Sequence, residues 1–146
     1  MNEQAARERF ETAISEQRPE FENFFLAKFL GLSFEYPDDR CVIRFPVHEY
    51  MFNPRGTLHG GVIATVMDIS MGHLLKRTMD VAGATLEMKI QFLAPITPPM
   101  ARCEAQFLRR GGSISFLESR MWNHANELAA MATATWKPAK PASSAR

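Results

Sequence analysis

The chain contains little cysteine and carries almost no net charge. Only two of its 146 residues are cysteines, and its formal charge at pH 7 is +1. Cys41 and Cys103 have neither metal-site nor redox-pair spacing, so we expect reduced core thiols in a cytoplasmic protein. The sequence also lacks a long basic run, which argues against binding to nucleic acid or to an anionic membrane surface.

Long uninterrupted apolar runs are missing as well. Residues 1–20 are rich in charge and contain no apolar stretch of the kind that signal peptides have. The segment 56–75 (GTLHGGVIATVMDISMGHLL) is as long as a membrane span, but Asp68, His73 and two glycines near its start argue against one. We therefore expect a single domain with no membrane partner, large enough to bury a core.

An isolated carboxylate is the most informative residue that is present. Asp68 is the only formally charged side chain in residues 56–75, and this segment is apolar almost all round, which predicts a buried helix from about 59 to 76. Burying an unpaired carboxylate is costly, so we expect this one to have a function. A carboxylate in apolar surroundings is a stronger base than one in water. Thr65 is the only hydroxyl among its helical neighbours three or four positions away.

The start of this helix is a second candidate feature. Gly60 and Gly61 follow His59 at the position where the helix should begin. The first backbone N–H groups of a helix have no partner within it and carry a partial positive charge. Such an N-terminus stabilises an anion, so one helix would carry an anion-stabilising end and a carboxylate about two turns apart.

Apolar periodicity predicts the other elements. The expected helices cover 3–17, 20–30 and 59–76, and the expected strands cover 32–36, 41–47, 85–93, 101–109, 113–123 and 127–136. Between Leu86 and Phe92 every second residue is apolar, which assigns Thr85 to the polar face of its strand. This order predicts an α+β fold in which a curved antiparallel sheet wraps around one long central helix. Extension of the sheet by a second subunit would cover an open edge.

The motif residues resemble those of a known enzyme family. Residues 53–61 (NPRGTLHGG), then Asp68, then 85–95 (TLEMKIQFLAP) resemble the hotdog-fold acyl-CoA thioesterases, most of all their PaaI-type (phenylacetate-degradation) branch. The resemblance covers roughly residues 25–137. An Asn six positions before the His and an Asp nine positions after it make the pattern far more specific than His-Gly-Gly alone.

The resemblance implies both a fold and an activity. It implies a hotdog fold and hydrolysis of acyl-CoA thioesters to a carboxylic acid and coenzyme A, without cofactor or metal. It also implies active sites shared between the subunits of a homodimer, often paired into a homotetramer. The hotdog thioesterase domain would cover 21–137, after an N-terminal helical extension (1–20) and before a disordered tail (138–146). Eleven Phe and nine Met residues favour an aryl-acyl or medium-chain substrate.

Each motif residue takes a role by the same resemblance. The Gly60 N–H would polarise the thioester carbonyl as an oxyanion hole, and Asp68 of the other subunit would act as general base on water or as nucleophile. Asn53 would orient water or substrate, and His59 would support the loop and the carbonyl end of the substrate. Thr85 matches a position at which relatives carry a Ser or Thr that helps to hold the attacking water. The alternative for the last three is a purely structural role.

Four more residues are candidates for binding the substrate. Gly61 and Thr65 lie close to the catalytic candidates along the helix, and Arg109 and Arg110 are candidates for the coenzyme A phosphates. The pair His48-Glu49 lacks the second His of a zinc helix, so we expect no metal.

Two other functions share parts of this pattern. A non-catalytic acyl-CoA-binding or sensing hotdog protein would bind without turnover, but such regulators usually carry a DNA-binding domain, for which the N-terminal helix is too short. An enoyl-CoA hydratase pairs an Asp with a His about five residues later. Asp68 and His73 have that separation, but on one helix they point roughly 140° apart, so we expect His73 to be structural.

The Phe-rich stretch 21–29 is expected in the core, and the alternative is that it covers the acyl pocket.

Overall fold

The computed structural model describes residues 1–140, and its elements follow the predicted order. The helices are α1 (Glu3–Glu16), α2 (Phe25–Leu30) and α3 (Gly60–Met79), with a short 3-10 helix at Glu49–Met51. The strands are β1 (Ser33–Glu35), β2 (Cys41–Pro46), β3 (Gly83–Phe92), β4 (Met100–Arg109), β5 (Ser115–Trp122) and β6 (Leu128–Pro138). Of the disordered tail predicted for 138–146, Pro138 belongs to β6, and residues 141–146 lie outside the described residues.

The strands of residues 1–140 form one antiparallel sheet in the order β1-β2-β4-β5-β6-β3. Helix α3 lies against one face of this sheet and contacts every strand from β2 to β6, while α1 and α2 pack on each other. The predicted α+β fold, a curved antiparallel sheet around one long helix with N-terminal helices, is therefore confirmed. None of the helices in the described part of the chain is long and apolar enough to cross a membrane.

The central helix begins where the two glycines predict it and ends three residues later than expected. His59 is its N-cap residue, and the His59 Nδ1 accepts a hydrogen bond from the Gly61 N–H at 2.8 Å. At the other end Asp80 adopts a left-handed conformation, and its N–H bonds to the Lys76 carbonyl and closes the last turn. Lys76 and Arg77 place positive charge where a helix C-terminus favours it, so the helix continues through these polar residues.

One side of α3 is half-buried, whereas the sequence predicts a helix buried all round. Thr65, Asp68 and Ile69 lie on this half-buried side. The large apolar side chains that face the core are Ile63, Val66, Met67, Met71, Leu74 and Leu75. A single chain therefore leaves a strip of its central helix, with Asp68 in the middle, partly open to solvent.

The helix predicted for 20–30 is shorter in the structure and begins at Phe25. Glu22 has a φ of +72°, in the left-handed region, through which a right-handed helix does not continue. The residues before Phe25 form turns instead, in which the Arg18 N–H donates to the Asn23 carbonyl at 2.7 Å. An irregular segment therefore joins α1 to α2.

Both cysteines lie in the core, as predicted. Cys41 begins β2, and the Cys103 thiol in β4 lies 3.1 Å from the Ser119 hydroxyl. Burial raises the pKa of the Cys103 thiol to about 11 and also raises the pKa of Cys41. Both thiols stay protonated near neutral pH, so neither is a nucleophile.

Strand β3 forms one edge of the sheet. It pairs with β6, and no strand of residues 1–140 covers its other side. Leu86 and Phe92 on this strand are 54% and 56% exposed. A long edge strand with exposed apolar side chains is a template for pairing with another chain.

Candidate active site

Asp68 is not the unpaired carboxylate that the sequence predicts. The Thr85 hydroxyl donates a hydrogen bond to Asp68 Oδ1 at 2.6 Å, which joins the middle of α3 to the start of β3. The alternation along β3 assigns Thr85 to the opposite face, and that assignment is wrong. A β-bulge between Thr85 and Glu87 sets Leu86 outside the regular pairing, so Thr85 turns towards the helix.

A cavity of about 740 Å³ opens beside the Asp68 carboxylate. This volume falls in the range of pockets that take small molecules, roughly 300–1,000 Å³. Thr65 and Asp68 provide polar groups on its wall. Its apolar lining residues include Phe21, Phe24, Leu26, Ile69, Met88 and Trp136. The arrangement suits an apolar group whose reactive end lies next to a carboxylate.

Thr65 can offer a ligand in this cavity its hydroxyl oxygen as an acceptor, but not its hydroxyl proton. Its Oγ1 donates to the Gly61 carbonyl one turn earlier, at 2.8 Å. The hydroxyl proton is therefore used within the helix, and the oxygen retains lone pairs that can accept a hydrogen bond from a ligand.

The first turn of α3 offers one free backbone donor. The Gly61 N–H is occupied by His59 Nδ1, which gives His59 a capping role and removes the Gly61 N–H as a contact for substrate. The Gly60 N–H makes no hydrogen bond within residues 1–140. It borders a second cavity, of about 620 Å³, whose lining includes Asn53, Arg55 and Phe92. An oxygen atom in that cavity could accept from the Gly60 N–H.

Asn53 shapes the loop that borders this second cavity. Its Nδ2 donates to the Thr57 hydroxyl at 3.0 Å, and its Oδ1 accepts from the Arg55 N–H at 2.9 Å. Both ends of the amide are thus engaged within the loop, as in an Asx turn. The geometry supports the structural role of Asn53 directly and places it beside the free donor of Gly60.

The predicted site residues form two separate groups in one chain. Asp68 and Thr65 line the first cavity, Thr85 is hydrogen-bonded to Asp68, and Gly60 and Asn53 line the second cavity. Eight residues of helix separate Gly60 from Asp68, or about 12 Å along the axis. One chain therefore does not bring its carboxylate and its free N–H to the same carbonyl group.

Arg109 and Arg110 belong to neither group. Both are exposed at the end of β4, and the described residues that line the two cavities do not include them. Arg55, which the sequence did not single out, lines the cavity of Gly60. Its position four residues before His59 is the feature of the sequence that could have identified Arg55 as a candidate site residue.

His73 borders the same cavity as Asp68, although helical spacing predicts that the two point apart. Its Nδ1 lies 2.9 Å from the Ile69 carbonyl, and its Nε2 accepts from the Glu22 N–H at 3.0 Å. Burial lowers the pKa of the His73 imidazole. Since both ring nitrogens are engaged, His73 has no free atom for the proton transfer that a hydratase would need.

Phe21 and Phe24 are the part of the pocket that the sequence identified least clearly. Both line the large cavity, so the Phe-rich stretch covers this pocket as well as joining the core. The two phenylalanines come from the irregular segment before α2. Helical or strand periodicity in the sequence could not reveal where this segment lies along α3.

Comparison with known proteins gives the family. Residues 55–130, about half of the chain, match the sequence model of the Thioesterase superfamily, and the chain belongs to this superfamily. A protein of Sulfurisphaera tokodaii named "Putative esterase" is 32% identical over 117 residues, which are 79% of this chain and 87% of that protein. Both findings support thioester hydrolysis as the activity.

Solved structures show the same fold. The BH2602 protein of Bacillus halodurans, whose structure contains CoA, has a TM-score of 0.81 at 23% identity, over 94% of this chain and 91% of that one. The E. coli PaaI protein, from the phenylacetic acid degradation operon, has a TM-score of 0.77 at 19% identity, over 90% and 96% of the two chains. The predicted hotdog fold is confirmed, and the E. coli PaaI protein is among the structures that share it.

Proposed function

We propose that the protein hydrolyses acyl-CoA thioesters, carrying an aryl or medium-chain acyl group, to a carboxylic acid and free coenzyme A. The hydrogen bond from Thr85 to Asp68 at the wall of a large apolar cavity is the observation that supports this most strongly. The cavity suits the acyl group, and the carboxylate lies where water could meet the thioester carbon. Membership of the thioesterase superfamily agrees with this chemistry.

In the proposed reaction Asp68 is the general base. Thr85 engages Asp68 at Oδ1, so Oδ2 can take a proton from water, and the Thr85 oxygen can accept a hydrogen bond from the same water. The resulting hydroxide attacks the thioester carbon. Collapse of the tetrahedral intermediate breaks the C–S bond, and the proton held by Asp68 passes to the thiolate of coenzyme A. The alternative is direct attack by Oδ2, which gives a mixed anhydride that water then hydrolyses.

The Gly60 N–H is the proposed oxyanion donor. It has no acceptor within residues 1–140 and stands at the N-terminus of α3, where the helix dipole adds positive potential. A fixed donor of this kind lowers the barrier by about 3–4 kcal/mol. His59 holds this turn by capping it, and Asn53 holds the loop before it.

A homodimer would complete the proposed site. Since about 12 Å of helix separates Gly60 from Asp68 in one chain, the oxyanion donor would come from the second subunit. The exposed edge of β3 supplies a surface on which two sheets could join. The homotetramer is a pairing of two such dimers.

The coenzyme A portion would lie along the second cavity. The Bacillus halodurans relative was solved with CoA, which supports coenzyme A as the carrier here. Arg55 on this cavity joins Arg109 and Arg110 as a candidate cation for the phosphate groups.

The test is release of free thiol from a panel of short, medium, long and aryl acyl-CoAs. We expect Asp68→Asn to lower kcat by at least about a hundredfold on every member that the wild type cleaves. Asp80→Asn is the matched control, because Asp80 is an exposed aspartate at the end of the same helix, and it should keep the wild-type rate. Full activity in Asp68→Asn would exclude this mechanism. Tight binding of acyl-CoA without turnover by the wild type would favour the non-catalytic binding protein.

A further inference from the structure

The cavity beside Asp68 has one wall that belongs to no helix or strand of the hotdog fold. Pro19, Glu20, Phe21 and Phe24 come from the segment that joins α1 to α2, and they line the cavity. The other walls come from Leu26 of α2 and from α3, β3 and β6. The joining segment is therefore the part of the cavity wall that lies outside the sheet and its helices.

His73 attaches this segment to the central helix. The His73 Nε2 accepts a hydrogen bond from the Glu22 N–H at 3.0 Å, while Nδ1 donates to the Ile69 carbonyl at 2.9 Å. The ring stacks on Phe34 at 4.6 Å between centroids and contacts Phe21 at 4.9 Å. His73 is only 5% exposed, so both polar contacts are shielded from water.

Glu22 sits in a backbone conformation that needs such support. Its φ of +72° lies in the left-handed region, which is unfavourable for a residue with a side chain. The Tyr36 hydroxyl hydrogen-bonds to the Glu22 carboxylate, and His73 binds the Glu22 N–H. A strained residue held by two side chains from other elements indicates a segment whose position matters for function.

We propose that residues 19–26 form the wall that determines acyl specificity, and that His73 is the positioning residue that holds this wall in place. The inference rests on the proposed acyl-CoA thioesterase function. Phe21 and Phe24 limit the size of the acyl group that fits beside Asp68. His73 acts through Glu22 and does not touch the reacting atoms.

Two substitutions at Phe21 should shift specificity in opposite directions. Phe21→Ala widens the cavity, so kcat/KM for a long acyl group should rise relative to a short one by at least about tenfold. Phe21→Trp narrows the cavity and should lower the same ratio. Phe116→Ala is the matched control, because Phe116 is 40% exposed against 42% for Phe21 and lies on β5, outside the described residues that line either cavity. Its ratio should equal that of the wild type.

Two substitutions at His73 test the positioning role. The amide oxygen of Gln can accept from the Glu22 N–H, whereas Leu cannot. His73→Leu should therefore raise KM for the preferred acyl-CoA by about tenfold or more and flatten the dependence of kcat/KM on acyl size, and His73→Gln should restore most of both. A purely structural role would lower activity equally on all acyl-CoAs. Melting temperatures identify any variant that fails to fold.

The experiment measures kcat/KM for acetyl-, hexanoyl-, decanoyl- and phenylacetyl-CoA with the full chain of each variant. Opposite shifts for the two Phe21 variants, with Phe116→Ala unchanged, would support the proposal. Hydrolysis with the same acyl profile in all folded variants would overturn it while leaving the thioesterase function intact. Absence of hydrolysis of any acyl-CoA by the wild type would overturn the proposed function and this inference with it.

Discussion

The Thr85 hydroxyl donates to Asp68 Oδ1 at 2.6 Å across the junction between β3 and α3. This contact exists because a bulge after Thr85 reverses the alternation of side chains between the two faces of the sheet near the start of β3. It engages one carboxylate oxygen of Asp68, a residue that lines the apolar cavity. In the proposed mechanism this pair holds and activates the attacking water molecule.

Loss of the Thr85 hydroxyl should therefore slow catalysis without unfolding the protein. Thr85→Val keeps the shape of the side chain and removes the donor, so we expect kcat to fall roughly ten- to a hundredfold. Thr85→Ser keeps the hydroxyl and should stay within a few-fold of the wild type. Thr133→Val is the control, since Thr133 is an exposed strand threonine on β6. Equal rates for Thr85→Val and Thr133→Val would contradict a role for the hydroxyl.

Two substitutions at Gly60 can separate the effect of its backbone N–H, the proposed oxyanion donor, from the effect of its lack of a side chain. Gly60 is the first residue of α3, where proline is well accepted, and His59 before it has the extended conformation that precedes proline (ψ 135°). Gly60→Pro removes the N–H, and Gly60→Ala retains it while adding the same Cβ, which in either variant lies about 3.3 Å from the Phe92 ring. We expect kcat of the proline variant to be about 10²–10³-fold below that of the alanine variant.

Steady-state kinetics on the best acyl-CoA, with melting curves for both proteins, provide the comparison. Matching rates for the two folded Gly60 variants would show that the backbone N–H takes no part in the reaction.

His73 should make the stability of the protein depend on pH. Burial lowers the pKa of its imidazole below the ordinary value of 6.5, and the hydrogen bond to Ile69 and the charge of Glu22 oppose this only in part. The unfolded chain then binds a proton at higher pH than the folded chain does, so the free energy of unfolding falls as pH drops below about 6.5. Protonation also removes the Nε2 lone pair that accepts from the Glu22 N–H.

Urea denaturation at about pH 7.5 and about pH 5.5 measures this dependence. We expect the free energy of unfolding to fall more for the wild type than for His73→Gln between the two pH values. The pKa of His48 is also lowered by burial, but His48 is present in both proteins and its contribution cancels. Identical losses in the two proteins would contradict the predicted effect of burying His73.

The fold was predictable because its signals are local and strong. Alternation marks β3, and two glycines after His59 mark the start of an apolar helix, which the structure places within one residue of the predicted position. The end of that helix and the start of α2 were less predictable, since they depend on the left-handed conformations of Asp80 and Glu22. At Glu22 this conformation is held by contacts with Tyr36 and His73, which lie far from it in the sequence.

The sequence predicted which residues form the candidate site, but it did not predict how they are arranged in space. The motif identified Asp68, Thr85 and Gly60, yet the alternation of β3 gave the wrong face for Thr85, because a bulge depends on the register with β6. The engagement of His73 with Glu22 joins residues 51 positions apart, and no local pattern encodes it. Nor does the sequence show that Asp68 and Gly60 line different cavities of one chain.

The most direct test of this account is complementation between two inactive variants, because the proposed site needs Asp68 from one chain and the Gly60 N–H from another. Differently tagged Asp68→Asn and Gly60→Pro chains are refolded together, and the mixed dimer is confirmed by sequential capture of both tags. Each variant alone should be nearly inactive, whereas an equal mixture should recover about one quarter of wild-type activity, since half of the dimers are mixed and each has one intact site. A mixed dimer that forms but shows no activity would contradict a site shared between two chains.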